Sequence, residues 1–323
     1  MAGARLEAAG ALRRLASVCA GVVEGERCLI VTDTAADQEV VAAMAWVLAG
    51  IGASVATVCG DPVELPGDEP PAAVAAAMAE AEAIFELTSN FAGSSQARRD
   101  ACARGARYLT VPGLGWGTLR PGGPFYADFA ALGEHSKRLA ARIDAASEFH
   151  LTSELGTDLR GSFEGRAGRP LWGLADSPGG YAAPPDVEVG AAPVEGSAEG
   201  TVVIDGSVLF LGPDQLGAPI ELVFAGGELV DGRGPEAWRL LDAVEGSGDP
   251  RMRNLAEVSI GLNPLARPGG SALELEGIVG GAHIAVGNNV PYGGEVDARA
   301  HIDNVMLAAT LSLDGVPLDP RAT

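Results

Sequence analysis

Residues 28–113 alternate short apolar segments with helical ones, and this alternation constrains the fold more than any other feature of the sequence. Strands that are buried on both faces read as continuous apolar runs, and parallel strands joined by helices have both faces covered. The pattern therefore predicts an N-terminal α/β region with a Rossmann-like parallel sheet and helices on both faces. The predicted strands lie at 28–33, 54–60, 83–90 and 107–113.

The helix between the first two predicted strands is expected at Ala35–Gly50, where apolar residues recur at helical spacing. Asp33 and Thr34 precede it, and both residue types favour the capping position of a helix. We expect one of these two residues to cap the helix and Gly50 to end it.

Polar residues follow the predicted parallel strands at the edge of the sheet where ligands commonly bind. A glycine-rich phosphate-binding pattern follows none of these strands, so a nucleotide site lacks its usual loop. A structural and dimerising role is the plainer interpretation of this region. The polar residues are Asp33, Thr34, Asp61, Thr88, Ser89 and Asn90.

The chain of 323 residues carries a net charge of −21. A negative field of this size repels nucleic acid and anionic membranes. No apolar run approaches the length of a membrane-spanning helix, and the four cysteines form no C-x-x-C pair. We therefore expect a protein of the reducing cytoplasm without nucleic-acid or membrane partners.

After about residue 147 the pattern changes to short strands separated by turn signals. Asp-Gly and Gly-Gly pairs predict hairpins at residues 200–207, at 224–232 and around Asp314–Gly315. One amphipathic helix is expected at 235–247. The sequence thus predicts two domains, an α/β domain at 1–147 and a β-rich α+β domain at 148–323.

The second domain contains two histidines that could hold a metal, His283 and His301, with Asp303 two residues after the second. Strand side chains alternate with period two, so His301 and Asp303 would point to the same face. If the strand that contains His283 lies next to the strand that contains His301 and Asp303, all three side chains come together. Neutral imidazole and carboxylate suit Fe(II), Zn(II), Mn(II) or Co(II), so the residue types alone leave the metal open. A lone histidine in an apolar strand would more often be part of the core.

Several motifs resemble those of the aminopeptidase T-type metallopeptidases, a superfamily that also contains 2,5-dihydroxypyridine 5,6-dioxygenase. The resemblance extends from about Gly156 to the end of the chain and, more loosely, over the N-terminal region. It implies a metal-dependent enzyme that is a dimer or a higher homo-oligomer, with its active site near the interface. The motifs are EVGAAP (188–193), LAEVSIGLNP (255–264), LELEGIVGGAHIAVG (273–287) and HID (301–303).

The peptidase pattern implies two metal ions, which would be Zn(II), Co(II) or Mn(II). Peptidases of this type place a tyrosine seven residues after the first histidine, where this chain has Val290, and Tyr292 follows two residues later. The acidic residue that they place five before that histidine is Ile278 here, with Glu276 two residues away. These departures count against peptide hydrolysis. The implied metal ligands are Glu188, Glu257, His283, His301 and Asp303.

The dioxygenase pattern implies a single Fe(II) held by His283, His301 and Asp303, with open positions for O₂ and a dihydroxy-aromatic substrate. His135 is a candidate for acid–base work across a domain or subunit interface, although it could equally be a histidine on a solvated helix face. Tyr292 is a candidate for positioning the substrate.

The leading hypothesis is therefore an Fe(II)-dependent, extradiol-type ring-cleaving dioxygenase for a hydroxylated pyridine-like or related aromatic acid. A two-metal aminopeptidase is the alternative. A binding or scaffold protein without turnover is a third reading, and the five intact ligand positions speak against it. The role of Glu257 decides between dioxygenase and aminopeptidase. If Glu257 binds a second metal, a hydrolase is favoured; if it only hydrogen-bonds to a metal ligand, an oxygenase is favoured.

Overall fold

The computed structural model describes residues 2–209, 211 and 215–321, and the fold is mixed α/β. The chain forms two compact units: unit 1 comprises Met1–Ala130 and Trp172–Pro185, and unit 2 comprises Ala131–Leu171 and Asp186–Thr323. The boundary between independently folding domains at residue 147 stays a prediction. Across the described residues, no helix combines the length and the apolar character needed to cross a bilayer.

The described elements alternate between helix and strand in the first part of the chain and are mainly strands afterwards. The strands are β1 Arg27–Asp33, β2 Ser54–Gly60, β3 Ala83–Leu87, β4 Arg107–Thr110, β5 Glu148–Thr152, β6 Asp158–Ser162, β7 Arg169–Leu171, β8 Tyr181–Ala182, β9 Glu188–Ala191, β10 Glu199–Ile204, β11 Ser207–Val208, β12 Ile220–Ala225, β13 Glu228–Arg233, β14 Leu255–Gly261, β15 Ala282–Gly287, β16 His301–Met306, β17 Thr310–Leu313 and β18 Val316–Pro317. The helices are α1 Ala2–Arg14, α2 Gln38–Ile51, α3 Ala72–Met78, α4 Gln96–Ala103, α5 Phe129–Asp144, α6 Trp238–Gly246 and α7 Ala272–Glu276. Shorter helical turns lie at Leu15–Cys19, Pro124–Tyr126, Pro250–Arg253 and Val290–Tyr292.

Unit 1 is built around a five-stranded sheet with the order β2-β1-β3-β4-β8, in which all pairings are parallel. Every residue of β3 and β4 is buried, including the charged Glu86 and Arg107, whereas β2 at the edge of the sheet has no buried residue. Helices α3 and α4 bring Val74, Met78 and Ala101 into one core with Leu29 and Ile84 of the sheet. The predicted parallel sheet is confirmed.

Helix α2 is present, but its predicted ends are wrong. It begins at Gln38, three residues after the expected start at Ala35. The side chain of Asp37 accepts the hydrogen bonds that cap it. It ends before Gly52, whose φ of 93° lies in the left-handed region that glycine adopts without strain. Gly50, the expected end, lies inside the helix.

Unit 2 contains two antiparallel sheets. The seven-stranded sheet has the order β13-β12-β10-β6-β5-β17-β18, and the six-stranded sheet has the order β11-β16-β15-β14-β9-β7. All residues of β9, β14 and β15 are buried, so the centre of the six-stranded sheet is covered on both faces. This sheet carries the candidate metal ligands.

Two of the three predicted hairpins are confirmed. Gly226–Gly227 joins β12 to β13 and Asp314–Gly315 joins β17 to β18, with positive φ at both residues of each turn. The hairpin predicted at Asp205–Gly206 is wrong, because the chain there leaves the seven-stranded sheet and enters the six-stranded sheet as β11. A Cβ at Gly206 would lie 2.8 Å from the carbonyl oxygen of Val305, so this glycine permits a close approach of two backbones.

Candidate metal centre

One face of the six-stranded sheet gathers imidazole and carboxylate side chains. Strands β15 and β16 are antiparallel neighbours, as predicted, and β14 and β9 follow them across the sheet. Residues two apart on a strand face the same side, and the register keeps this face continuous from strand to strand. The residues concerned are Glu188 on β9, Glu257 on β14, His283 on β15, and His301 and Asp303 on β16.

These five side chains form two groups of three that share Glu257. The potential ligand atoms of Glu188, Glu257 and His283 lie within 4.8 Å of one another, and so do those of Glu257, His301 and Asp303. His283 Nε2 is 3.0 Å from Glu188 Oε2 and 3.6 Å from Glu257 Oε1. His301 Nε2 is 3.0 Å from Glu257 Oε2 and 3.2 Å from Asp303 Oδ1. Glu257 thus directs one oxygen towards each imidazole.

The ring of His301 is held on two further sides. Its Nδ1 lies 2.6 Å from the carbonyl oxygen of Asn288, which can only accept a hydrogen bond. The ring of Tyr292 stacks on it, with centroids 5.0 Å apart and planes 9° apart. Nδ1 therefore carries hydrogen, and Nε2 is the nitrogen that remains for a ligand or a proton.

The position of Glu257 depends on a close contact between β9 and β14. Ser259 donates a hydrogen bond to Glu257 Oε1. Gly190 is the register partner of Ser259, and a Cβ at Gly190 would lie 1.7 Å from the hydroxyl oxygen of Ser259. The absence of a side chain at Gly190 is what lets Ser259 reach Glu257.

The charges of the cluster are strongly coupled. Burial would raise the pKa of Glu257, but the adjacent His283 and His301 bring it down to about 2. Burial would lower the pKa of His283, but Glu188 and Glu257 raise it well above the ordinary imidazole value. Burial acts in the same way on His301, whose pKa Asp303 and Glu257 raise well above the ordinary value. The carboxylates of the cluster therefore favour positive charge on the two imidazoles.

Two further buried carboxyl groups lie in the electrostatic environment of the cluster. Burial, reinforced by the charge of Glu188, raises the pKa of Asp186 well above the ordinary value. Burial, reinforced by Asp303, does the same for Glu276. In the sequence, Glu276 stands out only because it lies two residues from the position where the peptidases have an acidic residue. No motif marks Asp186, which lies two residues before Glu188.

The donor atoms of the cluster fit a divalent transition metal. Two imidazoles and three carboxylates offer the nitrogen and oxygen ligands that Fe(II), Zn(II), Mn(II) and Co(II) accept. Both nitrogens that face the carboxylates, His283 Nε2 and His301 Nε2, lie 3.0 Å from a carboxylate oxygen, so nitrogen and oxygen donors already converge there.

The structure places His135 outside this cluster. It lies on α5, is 6% exposed, and so is not a solvated surface residue. Its Nε2 is 3.1 Å from the carbonyl oxygen of Pro320, and its Nδ1 is 3.5 Å from Arg138. Both ring nitrogens thus contact atoms other than those of the candidate ligands.

Several of the polar residues at the edge of the parallel sheet make hydrogen bonds within unit 1. Asp33 Oδ2 accepts from the amide and the hydroxyl of Ser89 at 2.7 Å and 2.9 Å. Asn90 donates to the carbonyl oxygen of Val63 at 3.2 Å. These bonds support the structural interpretation of that edge.

Residues that support the cluster were missed in the sequence. Ser259 and Asn288 contact Glu257 and His301, yet each is a common residue type with no spacing that marks it. Tyr292, a candidate from the sequence, stacks on His301, whereas Val290, where the peptidases have their tyrosine, is 48% exposed.

Comparison with known proteins places this architecture in a family. The family model for 2,5-dihydroxypyridine 5,6-dioxygenase, NicX, matches residues 9–319. A solved structure of 2,5-dihydroxypyridine dioxygenase from Pseudomonas putida KT2440 is similar, with a TM-score of 0.74, 18% identity, and coverage of 99% of this chain and 97% of that chain. Wild-type AmpT from Thermus thermophilus is similar with a TM-score of 0.67, 20% identity, and coverage of 97% and 96%.

A search of curated protein sequences gave no match. At these identities the two solved structures show a common fold alone, whereas the family model spans nearly the whole chain. The resemblance seen in the sequence motifs is confirmed. The chain belongs to the 2,5-dihydroxypyridine 5,6-dioxygenase (NicX) family of enzymes.

Proposed function

We propose that this protein is an Fe(II)-dependent, extradiol-type ring-cleaving dioxygenase acting on a hydroxylated pyridine-like or related aromatic acid. The observation that carries the proposal is that His283, His301 and Asp303 lie on one face of the six-stranded sheet, in a chain of a dioxygenase family. Glu257 lies between the two imidazoles. These three side chains would hold the iron and leave positions open for substrate and O₂. Bound Fe(II) would supply the redox chemistry that joins O₂ to the electron-rich ring.

The residues of the chain itself would bind and orient the reactants. The side chains of Glu257 and His283 are 0% and 1% exposed, whereas those of His301 and Asp303 are 10% and 16% exposed. Substrate would therefore approach from the side of His301 and Asp303, while the buried side around Glu257 and His283 would exclude water. Tyr292, stacked on His301, lies at this more open side and is proposed to orient the substrate ring. A role of His135 in proton transfer stays a prediction.

The proposal extends to the architecture. The parallel sheet of unit 1 would be a Rossmann-like scaffold, supported by the strand order β2-β1-β3-β4, and the antiparallel part would be the catalytic domain. The enzyme would act as a homo-oligomer, as the resemblance of the sequence motifs implies. It would work in the cytoplasm, as the cysteines without a C-x-x-C pair indicate.

A two-metal aminopeptidase is the alternative, and one observation favours it. Glu257 directs one carboxylate oxygen towards each imidazole, so it belongs to both groups of potential ligands. A carboxylate in that position could join two Zn(II), Co(II) or Mn(II) ions, with Glu188 completing the second site.

Metal stoichiometry measured together with turnover separates the two functions. The protein is loaded anaerobically with Fe(II), or aerobically with Zn(II) or Co(II), and the metal content per chain is determined. We expect one iron per chain and O₂ uptake with 2,5-dihydroxypyridine. Two metals per chain with release of amino acids from peptides would reject the dioxygenase in favour of the peptidase.

Matched histidine variants show whether the cluster is responsible. His301→Ala should abolish metal binding and turnover while the protein stays folded. His150→Ala is the control, because His150 also lies in unit 2 but pairs with Asp158 on the seven-stranded sheet. A His301→Ala protein that retains full activity would rule out this metal centre.

A further inference from the structure

The segment between β15 and β16, residues 288–300, contacts His301 in two ways. The carbonyl oxygen of Asn288 accepts from Nδ1, and the ring of Tyr292 stacks on the imidazole. A shift of this segment would therefore change both the orientation of the His301 imidazole and the stacking of Tyr292 on it. The geometry of the candidate ligand depends on where the segment is held.

Asn289 makes several of the hydrogen bonds within the segment. Its amide donates to the carbonyl oxygen of Val296 at 3.0 Å, and its side-chain oxygen accepts from the amide of Val296 at 2.8 Å. Its carbonyl oxygen accepts from the amide of Gly294 at 2.9 Å. Asn289 is 0% exposed, so these bonds are shielded from water.

An arginine and a glutamate from elsewhere in unit 2 hold this part of the segment. Glu195 Oε1 accepts from the side chain of Asn289 and from the amide of Glu295, both at 2.8 Å. Arg166 pairs with the other oxygen of Glu195, and its Nη1 donates to the carbonyl oxygen of Gly293 at 2.6 Å. The pair thus makes three hydrogen bonds to residues 289–295, and we call it the clamp.

The clamp differs from an ordinary surface ion pair. The side chain of Arg166 is 12% exposed and that of Glu195 is 29% exposed, so both charges are partly removed from water. Such a pair is favourable only when further hydrogen bonds satisfy its remaining atoms. Burial would raise the pKa of Glu195, but the hydrogen bonds from Glu295 and Asn289 and the charge of Arg166 hold it below the ordinary value. Glu195 therefore remains charged near neutral pH.

We propose that the Arg166–Glu195 clamp is a positioning element for the metal centre, which holds the 288–300 segment so that Asn288 and Tyr292 keep His301 Nε2 directed at Glu257 and Asp303. The inference rests on the proposed metal-dependent function. The side-chain hydrogen bonds of the clamp join Arg166 and Glu195 to the segment and to each other, so the clamp acts on His301 through the segment. Arg166 and Glu195 are therefore positioning residues, and His301 is the residue that would touch the metal.

The expected loss of metal affinity can be judged from groups that hydrogen-bond to metal ligands and orient them. Removing a group that orients a ligand typically weakens metal binding by about 10- to 100-fold. The clamp acts one step further away than Asn288 does. We therefore expect the lower end of that range, about tenfold.

Two variants test the clamp by two readouts. Glu195→Ala removes all bonds of the carboxylate, and Arg166→Gln keeps a long side chain but removes the charge and the forked geometry. Hydrogen–deuterium exchange of residues 288–300 is measured without metal, and the Kd for Co(II) is measured by competition with a chelator. We expect faster exchange confined to the segment and a Kd about tenfold higher in both variants.

Glu221→Ala is the matched control. Glu221 pairs with Arg233 at 2.9 Å in the same unit, between β12 and β13, and should affect neither readout. Folded clamp variants with wild-type exchange and wild-type Kd would overturn the proposal. Global unfolding of both variants would also overturn it, because the pair would then be a general structural element. A wild-type protein that binds no metal would reject the proposed function, and exchange alone would still show whether the clamp holds the segment.

Discussion

His301 shows how a single residue couples protons to metal binding. Its Nδ1 faces a carbonyl oxygen and its Nε2 faces the carboxylates of Glu257 and Asp303, so hydrogen on both nitrogens is favoured. Burial opposes this charge, but the carboxylates prevail and raise the pKa well above the ordinary value. A metal ligand must be neutral imidazole, so a metal ion has to displace the proton.

Metal affinity should therefore fall as the pH falls. The pKa values of His283 and His301 are both raised, so up to two protons leave per metal centre formed. We expect the Kd for Co(II) to rise by up to about two orders of magnitude for each pH unit below neutrality. Competition titrations at several pH values, with calorimetry in buffers of different ionisation enthalpy, measure this slope. A Kd that is independent of pH would contradict the charge state assigned to the cluster.

The same raised pKa values affect stability without metal in the opposite direction. A histidine whose folded-state pKa is raised stabilises the protein fully below the ordinary imidazole value. That contribution is lost as the pH rises through the raised value. The contribution of the two histidines to stability without metal and the metal affinity are thus favoured at opposite ends of the pH range.

Among the elements, the contact between β9 and β14 is the tightest part of the centre. Glycine at position 190 leaves space for Ser259, and Ser259 in turn hydrogen-bonds Glu257. The strand pairing brings Glu188 into the same group through its partner Gly261. A side chain at position 190 would push the two strands apart where two candidate ligands meet.

Gly190→Ala should destabilise the protein and weaken metal binding. A Cβ would also lie 2.6 Å from the carbonyl oxygen of Val258, so the backbone must move. We expect a loss of about 1–3 kcal/mol in the free energy of unfolding, measured with denaturant, together with a higher Kd for metal. Gly246→Ala is the control, since nothing lies within 4 Å of its Cβ, and alanine near a helix end should be neutral or stabilising by less than about 1 kcal/mol. Equal effects of the two substitutions would contradict the steric argument.

At the scale of the whole molecule, the two compact units should respond differently to metal. All five candidate ligands belong to unit 2. A metal that binds the folded state alone stabilises it by about 2.7 kcal/mol at a concentration 100 times the Kd. The stabilisation should therefore appear only in the unfolding transition that includes unit 2.

Differential scanning calorimetry with and without Co(II) measures this response. We expect the Tm of that transition to rise by about 5–10 °C on metal addition and to return when a chelator removes the metal. His301→Ala should show no rise. A similar rise in that variant would mean that the metal binds elsewhere.

Features that depend on neighbouring residues were accessible from the sequence. Predominantly apolar runs predicted the parallel strands, because strands covered on both faces are rich in apolar residues. Strands β3 and β4 are buried throughout, whereas β2 at the edge of the sheet is not. The turns at Gly226–Gly227 and Asp314–Gly315 were predicted because their φ values require those residue types. The adjacency of His283 to His301 followed from the short connection between β15 and β16. The helix ends at Asp37 and Gly52 were missed, because several polar residues and glycines could have served.

The remaining features depend on contacts between residues that are far apart in the chain. Whether Asp205–Gly206 turns back on itself or crosses to another sheet is decided by which strand accepts β11, and that strand is β16. Glu195 reaches Asn289 over a separation of 94 residues. Local patterns specify the type and face of a strand but not its neighbour in the sheet. Residue types and alternation thus determined which side chains could bind metal, whereas strand order decided that Glu257 lies between the two histidines and that a distant ion pair holds the segment beside them.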